Sequence, residues 1–245
     1  MTRTVRLLGF FALTPLALAQ FKTTLNPKAT EAFEAYRTSV ESQMNHQPRY
    51  RDLPAGTVRI DPGRSDGVIA VNHGMVHDWV GATFIPNATA EQVVAVLQNY
   101  AAYKTVYAPD VIDSRLLNRS GDRFRVYLKV LKHNVLTVTL NTEYEVEYLS
   151  LGDGRWAVNS RSTRIAEVDK GRELPPGTGH GFLWRLNAYW LLEPRGNGTY
   201  IECRSLSLSR DIPTGLGFVV KPFVRSLPVD SLRATLTSTA RALKR

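Results

Sequence analysis

The sequence predicts an α+β fold: a curved antiparallel sheet closed by one long C-terminal helix, behind an N-terminal helical extension. Three observations predict it. From Val111 to Ser209 the chain reads as a succession of strands, several of which alternate apolar and polar residues as half-buried strands do. Glycine-rich turn signals such as Ser120-Gly121-Asp122 and Gly196-Asn197-Gly198 separate those strands. At the end, Val229, Leu232, Leu236, Ala240 and Leu243 recur every three or four residues and form one apolar stripe.

In chain order, residues 1–19 read as a targeting leader. Arg3 and Arg6 give a basic start, Leu7 to Leu18 is an apolar run, and Ala17-Leu18-Ala19 is a small-x-small cleavage site. The run is shorter than the roughly 20 residues a membrane span needs. The expectation is export to the periplasm or exterior with a mature chain starting at Gln20; a leader retained as an anchor is the alternative. Residues 20–67 read as an extension and linker. Asn26-Pro27 is a cap followed by a first-turn proline, and Phe33, Tyr36, Val40 and Met44 make a helical stripe that ends near His46-Gln47-Pro48. That stripe is too narrow to support a core alone.

The main domain is expected over 68–245. Val76 to Ile85 reads as a strand, and Thr89 with Gln92 forms a capping box that opens a helix running to about residue 102. Strands are then expected at Val111–Asn118, Arg123–Leu131, Val135–Tyr148, Trp156–Val168, Gly181–Glu193 and Thr199–Ser209. The final helix is read from Pro228, tolerated in a first turn, with Asp230 at the positive end of the dipole.

Charge and cysteine content narrow the function. The formal net charge is +9, but the basic residues are scattered without a block of Lys or Arg, which argues against nucleic acid. A solvated surface and a loose attraction to anionic lipid are the two readings left. The one cysteine, Cys203, leaves no internal disulfide and sits in a strand-like run, as a buried thiol would.

These features resemble the START-like, or helix-grip, superfamily of lipid-transfer domains, pathogenesis-related proteins, aromatase/cyclases and quinone-binding proteins. The likeness covers roughly 68–245 and is carried by the element order and by the runs at 77–86, 162–168, 181–190 and 209–213, which look like an exported bacterial branch. It implies a cavity between the sheet and the helix stripe that takes a hydrophobic or amphiphilic small molecule such as a lipid, isoprenoid or quinone. A cyclase or hydratase using the same cavity, or an interaction module with a filled core, are the alternatives. It also implies that Pro213, Gly215, Gly217, Pro222 and Pro228, which interrupt the approach to the helix, form either a movable lid or a fixed turn.

Strand parity nominates the ligand-binding residues. Tyr144 lies on the apolar face of its strand. Arg164 shares parity with Trp156, Val158 and Ala166, so it is read as pointing inward, to bind an anionic headgroup or to pair with Glu167 or Glu202. Trp184 and Trp190 share parity with Phe182, Leu186 and Ala188, as pocket wall or core. Leu236 is the centre of the helix stripe. Ser205, Ser207 and Ser209 share a face, either solvent or a polar cavity wall. His73 and His77 would lie about 13 Å apart on an extended segment, too far for a shared metal, so His77 and Asp78 are read as bonding locally. No cofactor, metal or catalytic motif is found.

Overall fold

A computed structural model of the chain describes residues 22–133, 137–211 and 217–244, apart from the side chains of 133 and 217–225. The leader at 1–19, the strand residues Val135 and Leu136, and Pro213 and Gly215 lie outside the described residues.

The elements run β1 (Thr23–Thr24), α1 (Pro27–Glu41), β2 (Val58–Pro62), β3 (Val68–Val71), β4 (Gly74–Pro86), α2 (Ala90–Gln98), a 3-10 turn (Tyr100–Ala102) and α3 (Tyr103–Val106). There follow β5 (Val111–Ser120), β6 (Arg123–His133), β7 (Thr137–Gly152), β8 (Arg155–Asp169), β9 (Arg172–Glu173), β10 (Thr178–Gly179), β11 (Arg185–Arg195), β12 (Gly198–Ser209) and α4 (Gly217–Ala242). The large sheet has the order β2-β4-β12-β11-β8-β7-β6-β5, with β3 on β4 and β9 on β8. Its pairings are antiparallel, as short hairpin connections require.

Local signals position these elements. Asn26 caps α1 by accepting from the Lys28 N–H at 2.9 Å, and Thr89 and Gln92 close the capping box of α2. Gly121 and Gly196 turn two hairpins with φ of 59° and 52°, where a side chain would be strained. The extension is tied into the fold, because β2 is a strand of the large sheet.

The two faces of the sheet carry different helices. On one face Leu232 and Leu236 of α4 join the main core. The approach is close at Gly81 of β4, where a methyl group would sit 2.7 Å from Leu236 Cδ1 and 3.0 Å from Leu232 Cδ2. On the other face Ala29, Phe33 and Val40 of α1 pack with Val76, Leu206 and Leu208. Asp78, with no exposed surface, bolts α1 to that face. It accepts from Arg204 Nε at 2.8 Å, Arg204 Nη2 at 2.6 Å and the Tyr36 hydroxyl at 2.7 Å. Asp78 and His77 therefore do not bond to one another, because successive side chains of β4 point to opposite faces.

The helix α4 begins at Gly217 rather than at Pro228. Proline inside a helix removes one hydrogen bond without having to end the helix, so Pro222 and Pro228 both lie within it. Pro213 and Gly215 remain as lid or turn candidates only by sequence.

Candidate functional site

A cavity of about 480 Å³ lies between the sheet and α4. That size is within the range of about 300–1,000 Å³ usual for small-molecule sites. Its walls are unequal. Val126, Leu128 and Val130 of β6 and Leu140, Tyr144 and Val146 of β7 form an apolar side. The helical segment before β5 adds Tyr100, Tyr103 and Tyr107, whose spacing of three and four residues puts them on one side of that segment. Their rings touch in series, Tyr100 tilted against Tyr103 at 5.0 Å and Tyr103 edge-to-face with Tyr107 at 4.7 Å between centroids.

The phenols of this wall are held inside the fold. Tyr148 donates to the Leu97 carbonyl at 2.8 Å and shares a hydrogen bond with the Tyr100 hydroxyl at 2.9 Å. Tyr107 meets Thr239 Oγ1 of α4 at 3.0 Å. Burial pushes the Tyr100, Tyr107 and Tyr144 hydroxyls up to about 12, so they stay neutral near neutral pH. Cys203 also lines the cavity, and burial raises its thiol, which makes it a neutral wall group and not a thiolate nucleophile.

The polar side of the cavity is built by β4 and β12. Their register sets Ser209 opposite Met75, Ser207 opposite His77 and Ser205 opposite Trp79, so the three serines and His77 share the cavity face. His77 is 3% exposed, and its Nε2 lies 2.8 Å from Ser209 Oγ. Its Nδ1 is buried without a hydrogen-bond partner among the described residues. Burial pulls the imidazole down to about 4, so it is neutral under ordinary conditions. Across the cavity Ser231, Thr235 and Ser238 of α4 add hydroxyls. The half-buried ion pair Lys132–Asp110 lines the wall too and meets solvent, which marks a rim.

The residues nominated by parity divide. Tyr144 and Trp190 line the cavity. Leu236 is fully buried against the sheet beside the cavity-lining Leu232. The inward assignment of Arg164 is corrected. The β7–β8 register runs Glu143↔Arg164 and then Tyr144↔Ser162, so Thr163 is an extra residue in a β-bulge. The bulge reverses parity along β8 and turns Arg164 to the outer face, where it pairs with Glu173 rather than Glu167 or Glu202. Glu167, two residues beyond Ile165, is carried to the cavity side instead; it is 8% exposed and bound to His180.

Trp184 is likewise corrected as a pocket residue. It is buried in the α1 cluster with Phe33 and Val76 on the opposite face. Regular pairing of β11 starts only at Arg185, after Gly181 at φ 74°, so strand parity does not extend back to residue 184.

Sequence reasoning passed over His77 and the three tyrosines as cavity residues. The signal for His77 was present: it shares strand parity with Met75 and Trp79, facing the serine ladder of β12. Tyr100 fell within the helix expected to run to about residue 102, whereas Tyr103 and Tyr107 lie beyond it, where no regular element was expected.

No protein-family model matches the chain, and no curated protein matches it. Solved structures do. The human StarD13 lipid transfer and protein localization domain aligns over 90% of this chain and 98% of its own, at 11% identity and a TM-score of 0.50. A STAR-related lipid transfer protein from Xanthomonas axonopodis aligns over 75% and 98%, at 22% identity and a TM-score of 0.48. The Zhui aromatase/cyclase of a Streptomyces aligns over 69% and 94%, at 12% identity and a TM-score of 0.49. Such identities speak to the fold: the chain has the START-like helix-grip fold, an antiparallel sheet gripping a C-terminal helix.

Proposed function

We propose that the chain is an exported carrier that binds an amphiphilic small molecule of lipid, isoprenoid or quinone type in this cavity. Proteins that share the fold are named both for lipid transfer and for aromatase/cyclase activity, so the fold accommodates either and the cavity has to decide. The observation that carries the reading is the asymmetry of the walls. A tail packs on β6, β7 and the tyrosines, and a head meets the hydroxyls of β12 and α4 beside a neutral His77. Each buried methylene contributes roughly 0.8 kcal/mol, so a long tail binds without chemistry. Arg164, on the outer face, supplies no headgroup charge. The charged residues that do line the cavity stand in opposite-sign pairs, Lys132 bonded to Asp110 and Arg210 next in sequence to Asp211, so the head that fits is an uncharged donor or acceptor, such as an alcohol, ester or quinone carbonyl.

The test is to purify the protein from its native host, extract it with organic solvent and identify what is released. A long-chain neutral amphiphile in near-stoichiometric amount is expected. Release of nothing above the level of an unrelated control protein would count against it. In the same preparation, intact mass checks export: the expected chain starts at Gln20, and a mass retaining Met1 to Ala19 contradicts cleavage.

A second reading, an enzyme of the cyclase or hydratase kind, is favoured by one observation, the His77–Ser209 contact inside the cavity. A neutral imidazole beside a hydroxyl can relay a proton. Turnover of a bound polyketide or enoyl substrate that His77→Gln abolishes, with binding retained, would establish that reading.

A further inference from the structure

The edge strand β5 carries an apolar and cationic surface that the cavity does not explain. Ile112, Leu116 and Leu117 are the exposed large hydrophobic side chains among the described residues, at 43%, 48% and 45%. Solitary exposed leucines are ordinary, but three on one short edge are a patch. Arg119 shares the face of Leu116, opposite Phe124 and Val126, Arg115 stands on the outer side of the same edge opposite Tyr127, and Arg123 follows across the turn, all exposed.

The local backbone says how the patch is made. The β5–β6 register skips Ile112 and skips Leu117, so each is the extra residue of a β-bulge. A bulge residue is left out of the pairing, and both such positions on β5 hold an apolar side chain. The same bulges break the edge as a template, because an incoming strand needs a continuous row of N–H and C=O groups. A second copy of this chain pairing edge to edge would also set Arg115 and Arg119 against their own kind.

The charges favour an anionic partner. Further into the sheet, Arg123 and Arg125 are matched by Glu147 and Glu143 of β7. At the edge, Arg115 has Asp113, at 3.8 Å, as its one acidic partner among the described residues, and it covers the Tyr127 ring at 4.4 Å. Arg119 has no acidic partner among the described residues; it donates to the Gly121 carbonyl at 3.1 Å and covers the Phe124 ring at 4.7 Å. Exposed aliphatic side chains interleaved with cations are the chemistry of an anionic bilayer surface, where the chains enter the headgroup boundary and the guanidinium groups meet phosphates.

The patch also adjoins the cavity wall. Leu116 is the cross-strand neighbour of Val126, and Ile112 follows Val111; Val126 and Val111 both line the cavity. We propose that β5 is the face by which this protein docks on anionic membranes, with Ile112, Leu116 and Leu117 inserted and Arg115 and Arg119 on the lipid phosphates. The inference gives the carrier reading a place to meet its lipid source. It is tested on ligand-free protein, so either proposal can fail alone.

The experiment is vesicle flotation of the delipidated protein, using phosphatidylcholine alone and equimolar phosphatidylcholine and phosphatidylglycerol. Binding is expected to the anionic vesicles only and to weaken with added salt. Arg115→Gln with Arg119→Gln is expected to weaken it by about fivefold per cation. Leu116→Ser with Leu117→Ser is expected to weaken it about tenfold or more, with an unchanged melting temperature because both side chains are exposed. Since Cys203 is buried, Leu117→Cys can be labelled selectively with an environment-sensitive dye. The dye is expected to shift to the blue on anionic vesicles, whereas the same dye at Lys28→Cys on α1 is not. Equal binding by wild type and the leucine variant, or no binding by wild type, overturns the proposal. So does a wild-type dimer in sedimentation that the leucine variant dissolves, which would assign the patch to a second copy of the chain.

Discussion

At the scale of single residues, His77 is the most informative side chain. Its imidazole is 3% exposed and titrates at about 4, against an ordinary 6.5. Because the folded value is the lower one, the unfolded chain takes up the proton first as pH falls. The fold therefore loses stability from about pH 6.5 down to about pH 4, by at most roughly 1.4 kcal/mol per pH unit and about 3 kcal/mol in all. His77→Gln is expected to remove that share of the acid sensitivity, measured as the wild-type minus variant difference in urea unfolding across this window. Parallel curves for the two proteins would show that His77 is not buried neutral. Residue-scale reading from sequence succeeded where strands are regular and failed where they are not. Tyr144 and Trp190 fell on the cavity side because parity holds around them. Arg164 did not, because one bulge residue, Thr163, reverses every side chain beyond it and leaves no mark in composition.

At the scale of elements, two helices are held by different means. The outer helix α1 depends on Asp78, a buried carboxylate whose partners Arg204 and Tyr36 come from β12 and α1. Asp78→Asn leaves the guanidinium without its counter-charge and is expected to cost about 3–5 kcal/mol. Replacing Asp78 and Arg204 together by Leu is expected to cost less than the single change, and thermal unfolding of the wild type and the two variants checks the order. The inner helix α4 depends on absence of bulk. Gly81→Val would drive methyl groups into Leu232 and Leu236, and overpacking of this kind costs about 1–3 kcal/mol. Leu236→Ala at the same contact is expected to cost about 2–5 kcal/mol, because the side chain is fully buried. The helices and the strand order were legible because periodicity and turn chemistry are local. The Asp78–Arg204 tie was not, because it joins residues brought together only by the register of β4 with β12.

At the scale of the whole molecule, the sheet, α4 and the tyrosine segment enclose one amphipathic cavity, while α1 seals the opposite face. The fold class was readable in advance from the order of elements and the terminal stripe. The character of the cavity was not, because its polar side comes from two strands, β4 and β12, far apart in the chain. The central claim is that this cavity accepts a long neutral amphiphile. The most direct measurement is calorimetric titration of the delipidated protein with a homologous series of straight-chain alcohols and their matching carboxylic acids. Affinity for the alcohols is predicted to rise about fourfold per methylene until the cavity is filled, to exceed that for the ionised acids, and to collapse in Val126→Trp, which fills the apolar side. Absence of saturable binding at every chain length, or affinity that ignores both chain length and Val126→Trp, would contradict the account.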